Sequence, residues 1–194
     1  MRRQRGLAAW CSATCCAMVM GFAATTWAQF TPGNIVVSQY GDGVATGTVP
    51  IVLREFTTSG IPTGFTVPLP TVNSGSNYAI VASSLGSTTT GFLKQSIDKR
   101  FLTIFGNGTS ATANRTIARI DVLGNVNTTT NFNAAGVIAR SAITTDGTNI
   151  WWSGDTGSGS TGGIRYLTVG STTSGVALAQ GTTASASTSS GPNP

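Results

Sequence analysis

The chain has 194 residues, 40% of them apolar and only 9% charged, with a formal charge of +5 and no histidine. This is length for one ordinary domain with a core of its own, and the apolar share excludes a wholly disordered chain. The missing histidine excludes Ser-His-Asp triads, His-containing zinc sites and the commonest general base.

The N-terminus predicts export. M-R-R-Q-R opens the chain, an apolar run follows from Gly6 to about Ala24, and Thr26-Trp27-Ala28 places small residues where a signal peptidase reads them. Residues 1–28 are therefore expected to be a signal peptide cleaved after Ala28, giving a secreted or cell-envelope protein. The competing reading is an uncleaved membrane anchor, since a run of roughly 19 residues can span a bilayer. Ser12, Thr14 and Gly21 interrupt it, and the cleavage-like end favours the signal peptide. Without the leader, eight basic residues face six acidic ones, with no basic run, so no nucleic-acid partner is expected. Cys11, Cys15 and Cys16 all lie in the leader, and Trp10 is too bulky to precede a lipidated cysteine. The mature chain then has no disulfide, thiol nucleophile or thiolate metal site.

From Phe30 the chain reads as short strands punctuated by turns. Strands are expected at Ile35 to Tyr40, Val49 to Thr57 and Phe65 to Leu69, the last marked as an edge by Pro68 and Pro70. Further strands are expected at Tyr78 to Ala82, Phe92 to Ser96, Phe101 to Phe105, Arg115 to Val122 and Val126 to Phe132, and then at Val137 to Ile143, Asn149 to Ser153, Gly163 to Val169 and Val176 to Ala179. Phe101 to Phe105 and Ile150 to Trp152 are apolar on both faces, as in a strand covered from both sides. Arg115 to Val122 alternates instead, which predicts a half-buried strand with Arg115, Ile117, Arg119 and Asp121 on one face. The tail, residues 181–194, has no large apolar side chain and is expected to be disordered.

The segment from Gly91 to Gly170 repeats. Ser96 and Ser141 are 45 positions apart, Gly106 and Gly154 are 48 apart, and Arg119 and Arg165 are 46 apart. Such a period filled with short strands is that of a propeller blade. The expected fold is all-β: tandem antiparallel meander sheets forming a partial, unclosed β-propeller-like array over residues 29–180. Its blades fall at about 33–70, 78–132 and 137–180, and the only helix expected is in the leader.

The blocks P-G-N-I-V-V-S-Q-Y-G-D-G (Pro32 to Gly43), P-I-V-L-R-E-F-T-T-S-G (Pro50 to Gly60), G-F-L-K-Q-S-I-D-K-R-F-L-T-I-F-G (Gly91 to Gly106) and G-G-I-R-Y-L-T-V-G (Gly162 to Gly170) resemble the opening of exported, propeller-like proteins of bacteria. The resemblance covers most of Phe30 to Ala179 and implies that fold and location, together with further blades in a complete protein. It implies no catalytic residues. One departure is Asp98-Lys99-Arg100, which stands where an Asp-Gly turn is usual.

Six carboxylates remain to do chemistry: Asp42, Glu55, Asp98, Asp121, Asp146 and Asp155. A pair could act on a glycosidic bond, but Asp42, Asp98, Asp146 and Asp155 sit at expected turns, where Asp caps its own backbone. Asp146-Gly147-Thr148-Asn149 and Asp42-Gly43 admit a calcium reading, yet neither is an EF-hand loop and a hairpin turn accounts for Asp-Gly without metal. No cofactor or metal is expected. Arg115, Arg119 and Asp121 are the candidate surface contact, for a glycan or an acidic partner, against the plainer reading of a solvated face. Trp151 or Trp152 could stack on a sugar, although one of them must face inward. The expected function is that of an exported, non-catalytic β-repeat scaffold contacting an extracellular glycan or protein, or itself through exposed blade faces. The alternative is the N-terminal piece of a polysaccharide-active propeller enzyme with catalytic groups in other blades.

Overall fold

The computed structural model describes residues 29–41, 47–82, 91–109, 114–134, 136–155 and 162–179. The leader with its Ala28 cleavage position, the Asp42-Gly43 turn and the 181–194 tail lie outside them. The described residues form eleven strands and no helix: β1 (Ile35–Tyr40), β2 (Ile51–Phe56), β3 (Pro62–Pro68), β4 (Lys94–Gln95), β5 (Phe101–Asn107), β6 (Asn114–Asp121), β7 (Val126–Asn133), β8 (Ile138–Thr144), β9 (Asn149–Asp155), β10 (Gly163–Thr168) and β11 (Val176–Ala179). Hairpin connections join them into three antiparallel sheets, none of them closed: sheet 1 in the order β1-β2-β3, sheet 2 in the order β4-β5-β6-β7 and sheet 3 in the order β8-β9-β10-β11.

Two apolar layers arrange these sheets as a stack with sheet 2 in the middle. Ile51, Leu53 and Val67 of sheet 1 pack with Ile104, Ala118 and Ile120 of sheet 2. Phe105, Ile117 and Phe132, from the other face of sheet 2, pack with Ala139, Ala142, Ile150, Trp152 and Leu167 of sheet 3. Adjacent residues Ile104 and Phe105 thus enter opposite layers, which is why β5 is apolar on both faces. In the second layer the rings of Phe105, Phe132 and Trp152 meet at centroid distances of 5.2 to 5.9 Å.

Small polar side chains buried within the stack bond to backbone carbonyls and to one another. The Thr103 hydroxyl of β5 donates to the Ala142 carbonyl of β8 at 2.6 Å, and the Thr116 hydroxyl of β6 donates to Ala79 at 2.7 Å. The Asn131 amide of β7 donates to the Thr116 oxygen at 2.8 Å. Each of these buried groups therefore has a partner, as burial requires.

Three local features depart from expectation. Tyr78 to Ala82 is not a strand: Ala82 exchanges hydrogen bonds with Val49 beside sheet 1, while Val81 exchanges them with Asn107 at the end of β5. A segment that divides its backbone between two sheets extends neither. Phe92 likewise leaves sheet 2, its N–H donating to the Arg140 carbonyl in a parallel bridge with Ser141, so β4 shortens to two residues. The face of β6 that carries Arg115, Ile117, Arg119 and Asp121 is assigned as expected, since these residues stand opposite Asn107, Phe105, Thr103 and Phe101. That face is covered by sheet 3 rather than half-open, because β6 belongs to the middle layer.

Candidate functional site

The three residues singled out on β6 are engaged within the protein. Arg115 is 4% exposed and donates through Nε to the Val137 carbonyl at 2.7 Å, tying sheet 2 to the start of sheet 3, and burial pushes its pKa down. Arg119 donates to the Gly147 carbonyl and lies 4.9 Å from the centroid of the Phe101 ring. Asp121 accepts from the Leu123 and Asn125 amides and from the Asn125 side chain, closing the β6–β7 turn. The solvated face expected for Arg115 is thus a seam between sheets, and of the three only Asp121 borders an opening.

That opening is a cleft of about 400 Å³ between the segment leading into sheet 1 and one end of sheet 2. Phe30 to Asn34 and Val36 form one wall, and Gln95, Lys99 to Leu102 and Ile120 to Val122 form the other. The first wall is fixed by Glu55, a buried carboxylate that accepts the Thr31 amide N–H and, at 2.8 Å, the Thr63 hydroxyl. Burial pushes the Glu55 pKa up, but these hydrogen bonds, with those from the Asn34 and Thr31 side chains, outweigh it and hold the carboxyl below its ordinary value. Phe30 packs edge-on against Phe65 at 5.0 Å and donates its N–H to Val122, which joins the two walls.

The second wall carries the Asp98-Lys99-Arg100 turn. Asp98 accepts from the Ser96 hydroxyl at 2.6 Å and from Arg100 Nε at 2.7 Å, and these bonds lower its pKa against the desolvation that raises it. Lys99 has φ +61°, and is the one non-glycine residue in the left-handed region among the described residues. The sister turn in sheet 3, 48 positions on, has Asp146 in place of Asp98 and Gly147, at φ +82°, in place of Lys99. Asp146 spends both oxygens on the Thr148 and Asn149 amides and the Asn149 side chain, which holds its pKa down. Among the described residues no three His, Cys, Asp or Glu side chains converge as a metal site would require.

A second open surface is the outer face of sheet 3. Strand pairing sets Ile143, Trp151, Tyr166 and Val176 directly opposite one another across all four strands. The Trp151 and Tyr166 rings are 5.4 Å apart, while Ile143 is 37% and Val176 65% exposed. The inward tryptophan is Trp152, 1% exposed. The 48-residue step also corrects the repeat. Thr103 corresponds to Trp151, so the partner of Arg119 is Tyr166, and Arg165 instead lies opposite Trp152 on the inner face.

No family model, curated protein or solved structure matches the chain. The fold and the two open surfaces therefore stand on the geometry alone.

Proposed function

We propose that this chain is an exported, non-catalytic β-repeat scaffold of propeller-like build that works by contact, its uncovered terminal sheet being covered by another sheet of the same kind in a second copy or in a longer propeller. The observation that carries this reading is the apolar row Ile143-Trp151-Tyr166-Val176. It occupies on sheet 3 the face that, on sheet 2, is covered by the next sheet. The opposite end of the stack supports it, since the outer face of sheet 1 exposes Ile35 and Val37. The propeller-like arrangement is supported by the parallel bridge between Phe92 and Ser141, which aligns the first strands of successive sheets.

The non-catalytic reading is supported by the use of the described carboxylates. Asp98, Asp121 and Asp146 cap turns, Glu55 anchors the N-terminal segment and Asp155 pairs with Arg140 at 3.1 Å. Sedimentation velocity on the purified chain tests the contact. Concentration-dependent association that V176K and I143K abolish without unfolding is the expected result. A monomer at every concentration, unchanged by these variants and stable on its own, is incompatible with association between copies.

A further inference from the structure

We propose that the open edge of sheet 1, along β1, takes an extended peptide strand of a separate molecule, rich in small and β-branched residues, which pairs antiparallel with β1 and completes the sheet to four strands. This is independent of the apolar row on sheet 3, because it concerns the other terminal sheet and an edge rather than a face.

The first argument is the build of the sheets. Sheets 2 and 3 each have four strands, and sheet 1 has three. Before β1 the Asn34 amide closes a turn on the Thr31 carbonyl, as the Lys99 amide does on the Ser96 carbonyl before β5. β1 thus matches β5, and β2 and β3 match β6 and β7. The strand that β4 and β8 supply beside β5 and β9 has no counterpart beside β1 among the described residues. The segment leading into β1 does not take that position. Phe30 donates its N–H to the Val122 carbonyl just past β6, and Thr31 donates to the Glu55 carboxylate.

The second argument is where the backbone groups point. Gly41 donates its N–H to the Pro50 carbonyl at 2.8 Å, one step beyond the pairing of Tyr40 with Ile51. Alternation along an antiparallel pair then directs Ile35, Val37 and Gln39 at β2 and turns the N–H and C=O groups of Val36 and Ser38 to the open edge. Those groups have no backbone partner among the described residues. Sheet 2 uses the same half of its strand: Gly108 donates to the Asn114 carbonyl, so Phe101 and Thr103 turn toward β4, and Ser96 donates to the Phe101 carbonyl at 2.8 Å.

The third argument is the chemistry of the edge. β3, at the other side of sheet 1, is guarded by Pro62 and Pro68, whereas β1 reads I-V-V-S-Q-Y with no proline and no charge. A strand beside β1 adjoins exposed Ile35 and Val37 on one face and, on the other, Val36 and Tyr40, which are half-buried against the first apolar layer. Small and β-branched residues suit both faces. β8, which holds the matching position in sheet 3, has that composition and supplies the probe.

Hydrogen exchange on the purified full chain, with and without an acetylated peptide of the sequence Ile138–Thr144, tests this. In the dilute free chain the Val36 and Ser38 amides are expected to exchange fast and those of Val37 and Gln39 slowly. The peptide is expected to bind saturably, at about 1 mM or tighter, and to slow Val36 and Ser38 about tenfold. N-methylation of alternate peptide amides should abolish the effect in one frame and spare it in the other. S38P removes an edge-facing N–H that β2 does not use, so it is expected to weaken binding about tenfold and to keep the melting transition. Slow exchange in the free chain that deletion of residues 181–194 relieves would give the edge to the chain's own tail, and slow exchange that grows with protein concentration would give it to a second copy; either overturns the proposal. So does the lack of a saturable effect, an equal response to both N-methylated frames, or binding unchanged in S38P.

Discussion

Lys99 and Gly147 hold the same left-handed backbone conformation, one with a Cβ and one without. For a residue with a Cβ, the left-handed conformation costs about 1–2 kcal/mol, so K99G should raise stability by roughly 1 kcal/mol. G147A should do the reverse and more, because the added methyl meets both the unfavourable φ and the Phe101 ring. We expect a loss of about 2–4 kcal/mol in urea unfolding. Glu55 sets a different kind of limit. Its folded-state pKa lies below the unfolded value of about 4.3, so its contribution is complete above that pH and is lost as pH falls through the depressed value. Asp98 and Asp146 shift in the same direction. The melting temperature should therefore fall steeply on acidification below about pH 4. E55Q should cost about 1–3 kcal/mol at neutral pH and flatten part of that acid limb. Melting curves recorded by circular dichroism across the acid range measure both effects.

Among the elements, β11 depends on a single glycine. A Cβ at Gly175, where φ is +76°, would run into the Tyr166 carbonyl and the Leu167 side chain, so G175A should lift β11 away from β10. Hydrogen exchange at Val176 to Leu178 should then lose protection while β5 and β6 keep theirs. Apart from Tyr78 to Ala82, the shortened β4 and the early start of β3 at Pro62, the strands were legible in the sequence, because Gly, Pro and Asp turns bracket β-branched runs. What the sequence concealed was partnership. Nothing in Tyr78 to Ala82 says that it bonds to Val49 and Asn107 at once. Nor does the alternation of Arg115 to Asp121 reveal that a third sheet covers its polar side. A buried arginine satisfied by a backbone carbonyl leaves the same pattern as a solvated one. The cleft was hidden for a related reason: its walls come from three stretches far apart in the chain, and only the Asp98-Lys99-Arg100 departure pointed toward it.

At the level of the whole molecule, sheet 2 contributes a face to both apolar layers, which couples them. L53A in one layer and W152A in the other should each cost about 3–5 kcal/mol. Each should also lower a single shared transition in calorimetry rather than split it, since neither layer survives without sheet 2. The aligned direction of β4 and β8 has one more outcome. The connections from β1 to β2, β5 to β6 and β9 to β10 all leave one pole of the molecule, where Val49, Asn107, Arg115, Val137 and Gly154 adjoin. The tight aspartate bends gather at the opposite pole. One end of the molecule is thus held by bonds that pass from sheet to sheet, and the other by aspartates that each close a bend within a single sheet.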